Sequence, residues 1–199
     1  MSLLKVKNGF SKRDFIKVIK AVGNRCMYYF NYTRAPYLRE TTFSNSALMS
    51  CESVGKDTII SYDYAKFKRE TKDFNYNEQY IFATQVMAHE MRHYYQHRQI
   101  IAKRPNENKK TISNWTRKKI IKTRGMKKTD NYEYVFSSVE LDANLYAHIF
   151  TFDHLESVSL IPIYNKTHFN ALKKLYKQNG GKNIKKYFSR KMKKCLVTK

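Results

Sequence analysis

Two histidines four residues apart, with a glutamate beside the first, are the residues of this sequence whose spacing most clearly predicts chemistry. The run 89–93 reads HEMRH, an H-E-x-x-H pattern. On a helix, His89 and His93 leave the same face one turn apart and can hold one metal ion, typically zinc. Glu90 is rotated by about 100° from His89, so its carboxylate lies beside the metal and can take a proton from a zinc-bound water. The pattern therefore predicts one zinc ion and a hydrolytic reaction.

A catalytic zinc site also needs a third protein ligand and an open fourth position. His97 continues the spacing, but it lies about 12 Å along the helix from His89, too far to share its metal. The residues directly after the motif contain no glycine that could turn the chain back. An acid on a second helix remains, and Glu140 and Asn144 share a helical face, so one could bind metal while the other steadies a histidine. Glu140 is also explained as a helix cap, since Ser137 lies three residues before it.

Two segments of the chain resemble a known family. Residues 88–96, AHEMRHYYQ, and 140–147, ELDANLYA, are similar to the small gluzincin-type zinc metallopeptidases of bacteria and phages. The second segment resembles the E-x-[ED]-A-N-x-[FY]-A helix of the ImmA/IrrE group, and the resemblance covers about residues 58–152. It implies that His89, His93 and Glu140 bind the zinc, that Glu90 is the catalytic base, and that the substrate is a polypeptide.

The resemblance also implies a substrate-binding strand just before the active-site helix, where an extended peptide would add to the edge of a sheet. The segment 58–64 is rich in β-branched and aromatic residues, as strands are. Its candidate substrate contacts are Ile59, Ile60 and Ser61. An ordinary half-buried strand explains the same pattern equally well.

Helical periodicity and capping signals indicate which elements must position these residues. Helices are predicted over about 12–30, 77–102, 137–152 and 167–178, and strands over 47–51 and 58–64. The expected fold class is α+β and zincin-like, with a small twisted sheet packed on the active-site helix. We expect a zincin-like metallopeptidase domain over 1–165 and a basic, helical C-terminal tail over 166–199.

Charge is the outlier of the composition, with 39 Lys+Arg against 16 Asp+Glu and a net charge of +23. Residues 98–128, a basic insertion, carry +11 and residues 166–199 carry +12, so the rest of the chain is neutral. These blocks favour polyanions. The candidate contacts are Lys109, Lys110, Arg117, Lys118, Lys119, Lys185, Lys186 and Arg190, with Trp115, Tyr176, Tyr187 and Phe188 as aromatic residues that could stack on bases.

The charge supports a second hypothesis, a nucleic-acid-binding protein with a structural or inactive zinc site. The two hypotheses can coexist in a peptidase that acts on nucleic-acid-associated proteins of a mobile element or its host. Steep loss of affinity with added salt would support nucleic-acid binding.

Cysteine use and hydropathy bear on the compartment. The three cysteines are far apart and form no CxxC pair, which argues against a disulfide framework and a thiolate zinc site. Lys5 and Lys7 lie where a signal peptide has an apolar run, and no stretch is long and apolar enough to span a bilayer. We expect a cytoplasmic protein without integral membrane association. The oligomeric state is left open.

Overall fold

The computed structural model describes residues 9–45, 47–54, 57–117 and 137–154, with side chains to residue 151. Within these ranges the chain is α+β and mostly helical, with five helices and one three-stranded mixed sheet. The elements are α1 Lys12–Phe30, β1 Tyr37–Glu40, β2 Met49–Val54, β3 Asp57–Tyr62, α2 Tyr64–Glu70, α3 Tyr76–Ile101, α4 Lys109–Thr116 and α5 Ser138–His154. None of these helices combines the length and apolar character needed to cross a membrane. The predicted basic tail, with its helix over 167–178, lies outside the described residues.

The first helix begins and ends where its sequence predicts. The Asp14 amide donates to Ser11 Oγ at 3.1 Å, and the Ser11 amide donates to the Asp14 carboxylate at 3.1 Å, which forms a capping box. Asn31 ends the helix in the left-handed region, with φ of 56°, which asparagine tolerates better than most residues. The helix packs closely on α3 at Gly23, where a Cβ atom would lie 3.1 Å from Met87 Cε. The predicted helix over 12–30 is confirmed.

The sheet has the strand order β1-β3-β2, with β1 parallel and β2 antiparallel to β3. Ile60 of β3 is paired with Leu38 on one side and with Cys51 on the other. The prediction that Ile59, Ile60 and Ser61 form a substrate-binding edge is therefore wrong, because both hydrogen-bonding sides of the central strand are already occupied. Among the strands of the described ranges, β1 and β2 form the two edges of the sheet.

The central strand ends two residues earlier than its sequence pattern predicts, because Asp63 caps a short helix. The Asp63 carboxylate accepts hydrogen bonds from the Lys66 amide at 2.9 Å and from the Phe43 amide at 3.1 Å. Tyr64, predicted as the last residue of the strand, is instead the first residue of α2. The same aspartate thus ends β3, starts α2 and ties both to the loop after β1.

Two long helices carry the predicted site residues. Asn75 and Glu78 form a capping box at the start of α3, with hydrogen bonds of 2.8 and 3.0 Å. At the start of α5, Ser137 Oγ accepts a hydrogen bond from the Glu140 amide at 3.3 Å, so the predicted cap is present. The two helices pack against each other, and their buried apolar residues join those of α1 in one core. Both helices lie within a few residues of their predicted positions.

Candidate metal centre

The structure brings His89, His93 and Glu140 together at the interface of α3 and α5. The Nε2 atoms of the two histidines are 2.9 Å apart, and the Glu140 carboxylate oxygens lie 3.3 Å from His89 Nε2 and 3.4 Å from His93 Nε2. Four ligands placed tetrahedrally at ~2.0–2.1 Å from a zinc ion are ~3.3 Å apart. The three residues therefore form a cluster that could hold one metal ion. Two imidazoles and a carboxylate are a donor set that suits zinc.

Glu140 serves two purposes at once, since its amide is part of the helix cap and its carboxylate faces the histidines. The cap and ligand explanations of Glu140, which compete at the level of sequence, are compatible in the folded protein. One uses a backbone atom and the other uses the side chain.

Electrostatics in the cluster favour a positive charge between the two helices. Burial lowers the pKa of His93, but the hydrogen bond to Glu140 and the negative charges of Glu90 and Glu140 outweigh it and raise the pKa to about 9. Burial raises the pKa of Glu140, whereas its hydrogen bonds with His89 and His93 hold that pKa well below its usual range. In the absence of metal, a proton on the His93 ring supplies the positive charge between His89 and Glu140. A metal ion that binds there must displace this proton.

Glu90 lies in the same cleft as His93 and Glu140 but outside the cluster of ligand atoms. Its side chain is buried, with 7% of the residue exposed. The cleft has a volume of about 780 Å³. Its lining comes from β2 and the loop before it, from α3, α4 and the start of α5, and includes Met49, Cys51, His97, Ile100, Trp115, Ser137 and Val139. The cleft therefore offers room for a ligand directly beside the carboxylate.

The strand that borders this cleft is β2, one edge of the sheet. Cys51 of β2 lies near Glu90, and burial together with the charge of Glu90 raises the pKa of its thiol. Within the described residues, no further strand pairs with the outer side of β2. A backbone edge with free hydrogen-bonding groups is therefore available next to Glu90.

Hydrogen-bond alternation identifies which residues of β2 face outward. The Asp63 amide donates to the Leu48 carbonyl at 3.0 Å, so these two residues form a hydrogen-bonded pair in the antiparallel register. Bonded and non-bonded pairs alternate along such a ladder. Residues 50, 52 and 54 therefore bond to β3, whereas Met49, Cys51 and Ser53 direct their backbone N–H and C=O groups to the free edge.

A polar network behind His93 is absent from the sequence predictions. His93 Nδ1 lies 2.9 Å from Gln96 Oε1, and Gln96 Nε2 donates to Asp142 Oδ2 at 2.7 Å. Asn144, which we expected to steady a histidine, is half-buried on α5 and makes no hydrogen bond with either histidine in the described structure. Gln96 could have been suspected from its position, since a residue three places after a helical ligand lies on the same face.

Three of the predicted polyanion contacts are within the described residues. Lys109 and Lys110 are exposed at the start of α4, and Arg117 is exposed at its end. Trp115 is only 3% exposed and packs beneath a buried arginine, so it is not free to stack on bases. Lys118, Lys119, Lys185, Lys186 and Arg190 lie outside the described residues. Nucleic-acid binding by the basic blocks stays a prediction.

The candidate centre thus consists of a three-residue cluster that could hold a metal ion, a buried glutamate beside it and a cleft bordered by a free strand edge. These parts come from four elements, β2, α3, α4 and α5. In comparisons with known proteins, no family model, no curated protein and no solved structure matches the chain.

Proposed function

We propose that this protein is a zinc-dependent metallopeptidase that hydrolyses peptide bonds of a polypeptide substrate. The observation that carries the proposal is the convergence of His89, His93 and Glu140 in one cluster, with Glu90 beside it in an open cleft. His89, His93 and Glu140 would hold the zinc, and Glu90 would act as the general base. The helix that carries H-E-x-x-H, the second helix that supplies Glu140 and the bordering strand support a zincin-like architecture of the gluzincin type.

Zinc bound at this cluster would act as a Lewis acid that polarises the scissile carbonyl and lowers the pKa of the attacking water. Glu90 takes one proton from that water as its oxygen bonds to the carbonyl carbon. Glu90 then passes the proton to the leaving nitrogen as the C–N bond breaks. The products are a new carboxyl terminus and a new amino terminus, and Glu90 returns to its ionised form.

The free edge of β2 is suited to bind the substrate in an extended conformation. An incoming strand would pair with the outward backbone groups of Met49, Cys51 and Ser53 and extend the sheet by one strand. Main-chain hydrogen bonds of this kind hold a substrate with little dependence on its sequence. Since Cys51 lies near Glu90, a strand in this position would pass beside the catalytic carboxylate. We therefore assign to β2 the role that the sequence resemblance assigns to residues 59–61.

Metal content tests the proposal most directly. The wild type, His93→Ala and Glu140→Ala are each incubated with zinc, desalted and measured by elemental analysis. We expect about one zinc per wild-type chain and none in either variant, because each removes one of three protein ligands. His97→Ala is the matched control, since His97 lies on the same helix and lines the same cleft without joining the cluster.

Two results would count against the assignment. A folded wild type that retains no zinc would remove the metallopeptidase proposal. Zinc lost from His93→Ala but kept by Glu140→Ala would leave a metal site and exclude Glu140 as its third ligand.

A further inference from the structure

The orientation of the Gln96 side-chain amide determines which ring nitrogen of His93 carries a hydrogen and which keeps its lone pair for a metal ion. Gln96 Nε2 donates to the Val139 carbonyl at 3.0 Å and to Asp142 Oδ2 at 2.7 Å, so both of its hydrogens are used. The reversed orientation would place the amide oxygen against a carbonyl and a carboxylate, which can only accept. The Gln96 oxygen must therefore face His93, where it lies 2.9 Å from Nδ1.

This contact specifies the tautomer of the imidazole. An amide oxygen only accepts hydrogen bonds, so His93 Nδ1 must carry a hydrogen. The Nε2 atom then keeps its lone pair in the neutral ring, and Nε2 is the atom that faces His89 and Glu140. A hydrogen bond at one ring nitrogen selects the other as the ligand and also restrains rotation of the ring.

The carboxylate that holds the amide is itself held in place. Asp142 is completely buried, and its two oxygens accept hydrogen bonds from Arg92 Nε at 2.8 Å and Arg92 Nη2 at 3.2 Å. The Arg92 guanidinium is enclosed by aromatic rings, with centroids at 4.6 Å for Tyr95 and 5.4 Å for both Trp115 and Tyr146. A buried ion pair enclosed in this way leaves the carboxylate little freedom, so the amide it binds has no alternative orientation of comparable energy.

We propose that Gln96, held by Asp142 and Arg92, is a positioning residue that presents His93 Nε2 to the metal. The inference rests on the proposed function, since it assigns a role at that same metal site. Gln96 lines the cleft but contributes no atom to the metal cluster, so it acts on the metal through the His93 ring. Removal of a partner behind a ligating histidine typically weakens metal affinity by about 10- to 100-fold.

The test compares zinc affinities in competition with a chromophoric chelator. The variants are Gln96→Leu and Gln96→Met, and the matched control is Gln99→Leu. Gln99 is on the same helix, is equally buried and makes hydrogen bonds to Tyr32 Oη and the Asn106 amide rather than to His93. We expect zinc affinity to fall about 10- to 100-fold in both Gln96 variants and to change by less than about 3-fold in Gln99→Leu.

A second measurement reads the tautomer without metal. Long-range ¹H–¹⁵N NMR spectra of the metal-free wild type, at alkaline pH where the ring is neutral, should show His93 protonated at Nδ1. Gln96→Leu should shift the ring toward the Nε2-protonated form. A purely structural role of Gln96 would lower stability without changing the tautomer.

The outcomes separate the two proposals. A wild type that binds no zinc would overturn both the proposed function and this inference. Unchanged zinc affinity in both Gln96 variants, beside lost affinity in His93→Ala, would overturn the inference and leave the function standing. At alkaline pH, a neutral His93 ring that carries its hydrogen at Nε2 rather than at Nδ1 in the metal-free wild type would also overturn the inference, even if the Gln96 variants fail to fold.

Discussion

Glu90 lies in the same cleft as His93 and Glu140, but its carboxylate lies beside the cluster of ligand atoms and is not part of it. The difference follows from one step along the helix. His89 and His93 are four residues apart and share a face, whereas Glu90 is displaced by about 100° around the axis. That displacement gives it access to the cleft on the side bordered by β2.

We expect Glu90→Gln to keep its zinc and to lose about 10²- to 10⁴-fold in the rate of peptide hydrolysis, the usual contribution of a general base. The amide keeps the shape of the side chain but cannot accept a proton. The measurement pairs elemental analysis with cleavage of an unfolded protein substrate. Glu70→Gln, at an exposed glutamate at the end of α2, is the control and should behave as the wild type. Cleavage by Glu90→Gln at the wild-type rate would show that another group moves the proton.

At the residue scale, the sequence was sufficient for side chains whose role follows from local spacing. The pair His89 and His93 is visible because helix geometry alone places the two rings together. Gln96 and Asp142 escaped prediction because their role depends on how α3 packs against α5. A buried aspartate or glutamine is recognisable only when its partner on the other helix is known.

At the scale of elements, one buried ion pair links the two helices of the site. Arg92 of α3 and Asp142 of α5 are 2% and 0% exposed. Removing one partner from such a pair leaves an uncompensated charge in the interior, which costs about 3–5 kcal/mol. The charges, rather than the apolar contacts around them, make this part of the interface sensitive to single substitutions.

Asp142→Leu should lower the free energy of unfolding by about 3–5 kcal/mol, as measured by urea denaturation. The double variant Arg92→Met/Asp142→Leu leaves neither charge unpaired, so it should be more stable than the sum of the two single effects predicts. If the changes in the free energy of unfolding of the two single variants simply add up in the double variant, the ion pair does not couple α3 to α5.

Asp63 makes stability depend on pH at the junction of β3 and α2. The hydrogen bond from the Lys66 amide lowers the pKa of the Asp63 carboxyl group. Burial opposes this shift, and the hydrogen bond from the Phe43 amide adds to it. A folded-state pKa below the unfolded value of about 3.9 gives stability above that pH, which is lost as the pH falls through the folded-state pKa.

We therefore expect Asp63→Asn to cost about 1–2 kcal/mol near neutral pH. The difference from the wild type should shrink as the pH falls below about 4, because the wild-type carboxylate becomes protonated there. Urea denaturation at a series of pH values measures this difference. Asp73→Asn, at an exposed aspartate in the turn after α2, is the control and should show little effect. A cost for Asp63→Asn that stays constant down to strongly acidic pH would contradict the explanation.

The outer edge of β2 can be tested with proline. Ser53→Pro removes an outward N–H group without breaking a bond to β3, whereas Glu52→Pro removes a donor of the ladder. We expect Ser53→Pro to raise the KM for peptide hydrolysis by about 5-fold, the value of one hydrogen bond, with little change in thermal stability. Glu52→Pro should lower the thermal midpoint. An unchanged KM in Ser53→Pro would argue against substrate pairing at this edge.

Helices were more predictable than strands for a physical reason. The helix over 12–30 is defined by bonds and caps within its own segment. The central position of β3 depends on β1, a four-residue strand that lies about 20 residues earlier and that its own sequence did not predict. Pairing partners of a strand are set by the whole fold, so the wrong edge was assigned from sequence. The short helices α2 and α4 were also not predicted.

At the scale of the whole molecule, the site joins parts of the chain that are distant in sequence. His93 and Glu140 lie on helices whose packing against each other is extensive, and α1 packs against α3 in the same core. A metal ion that binds both helices would therefore bind only the folded chain. Folding and metal binding are linked through this shared requirement.

Zinc at about 100 times its dissociation constant should raise the free energy of unfolding by about 2.7 kcal/mol. Thermal denaturation of the wild type with zinc and after treatment with a chelator measures the effect. His93→Ala should show no shift between the two conditions. An equal zinc-induced shift in His93→Ala would place the bound zinc elsewhere on the chain.

Trp115 is the only tryptophan among the 199 residues, which include 16 tyrosines. It is buried on α4, lies 6.5 Å from the Tyr95 ring and also lines the cleft. Selective excitation of this indole therefore gives a fluorescence signal from a single, known place. A ligand that enters the cleft changes the surroundings of the fluorophore, and so does the release of α4 from α3 on unfolding. The protein thus contains an intrinsic optical probe that reports both occupancy of the cleft and integrity of the fold.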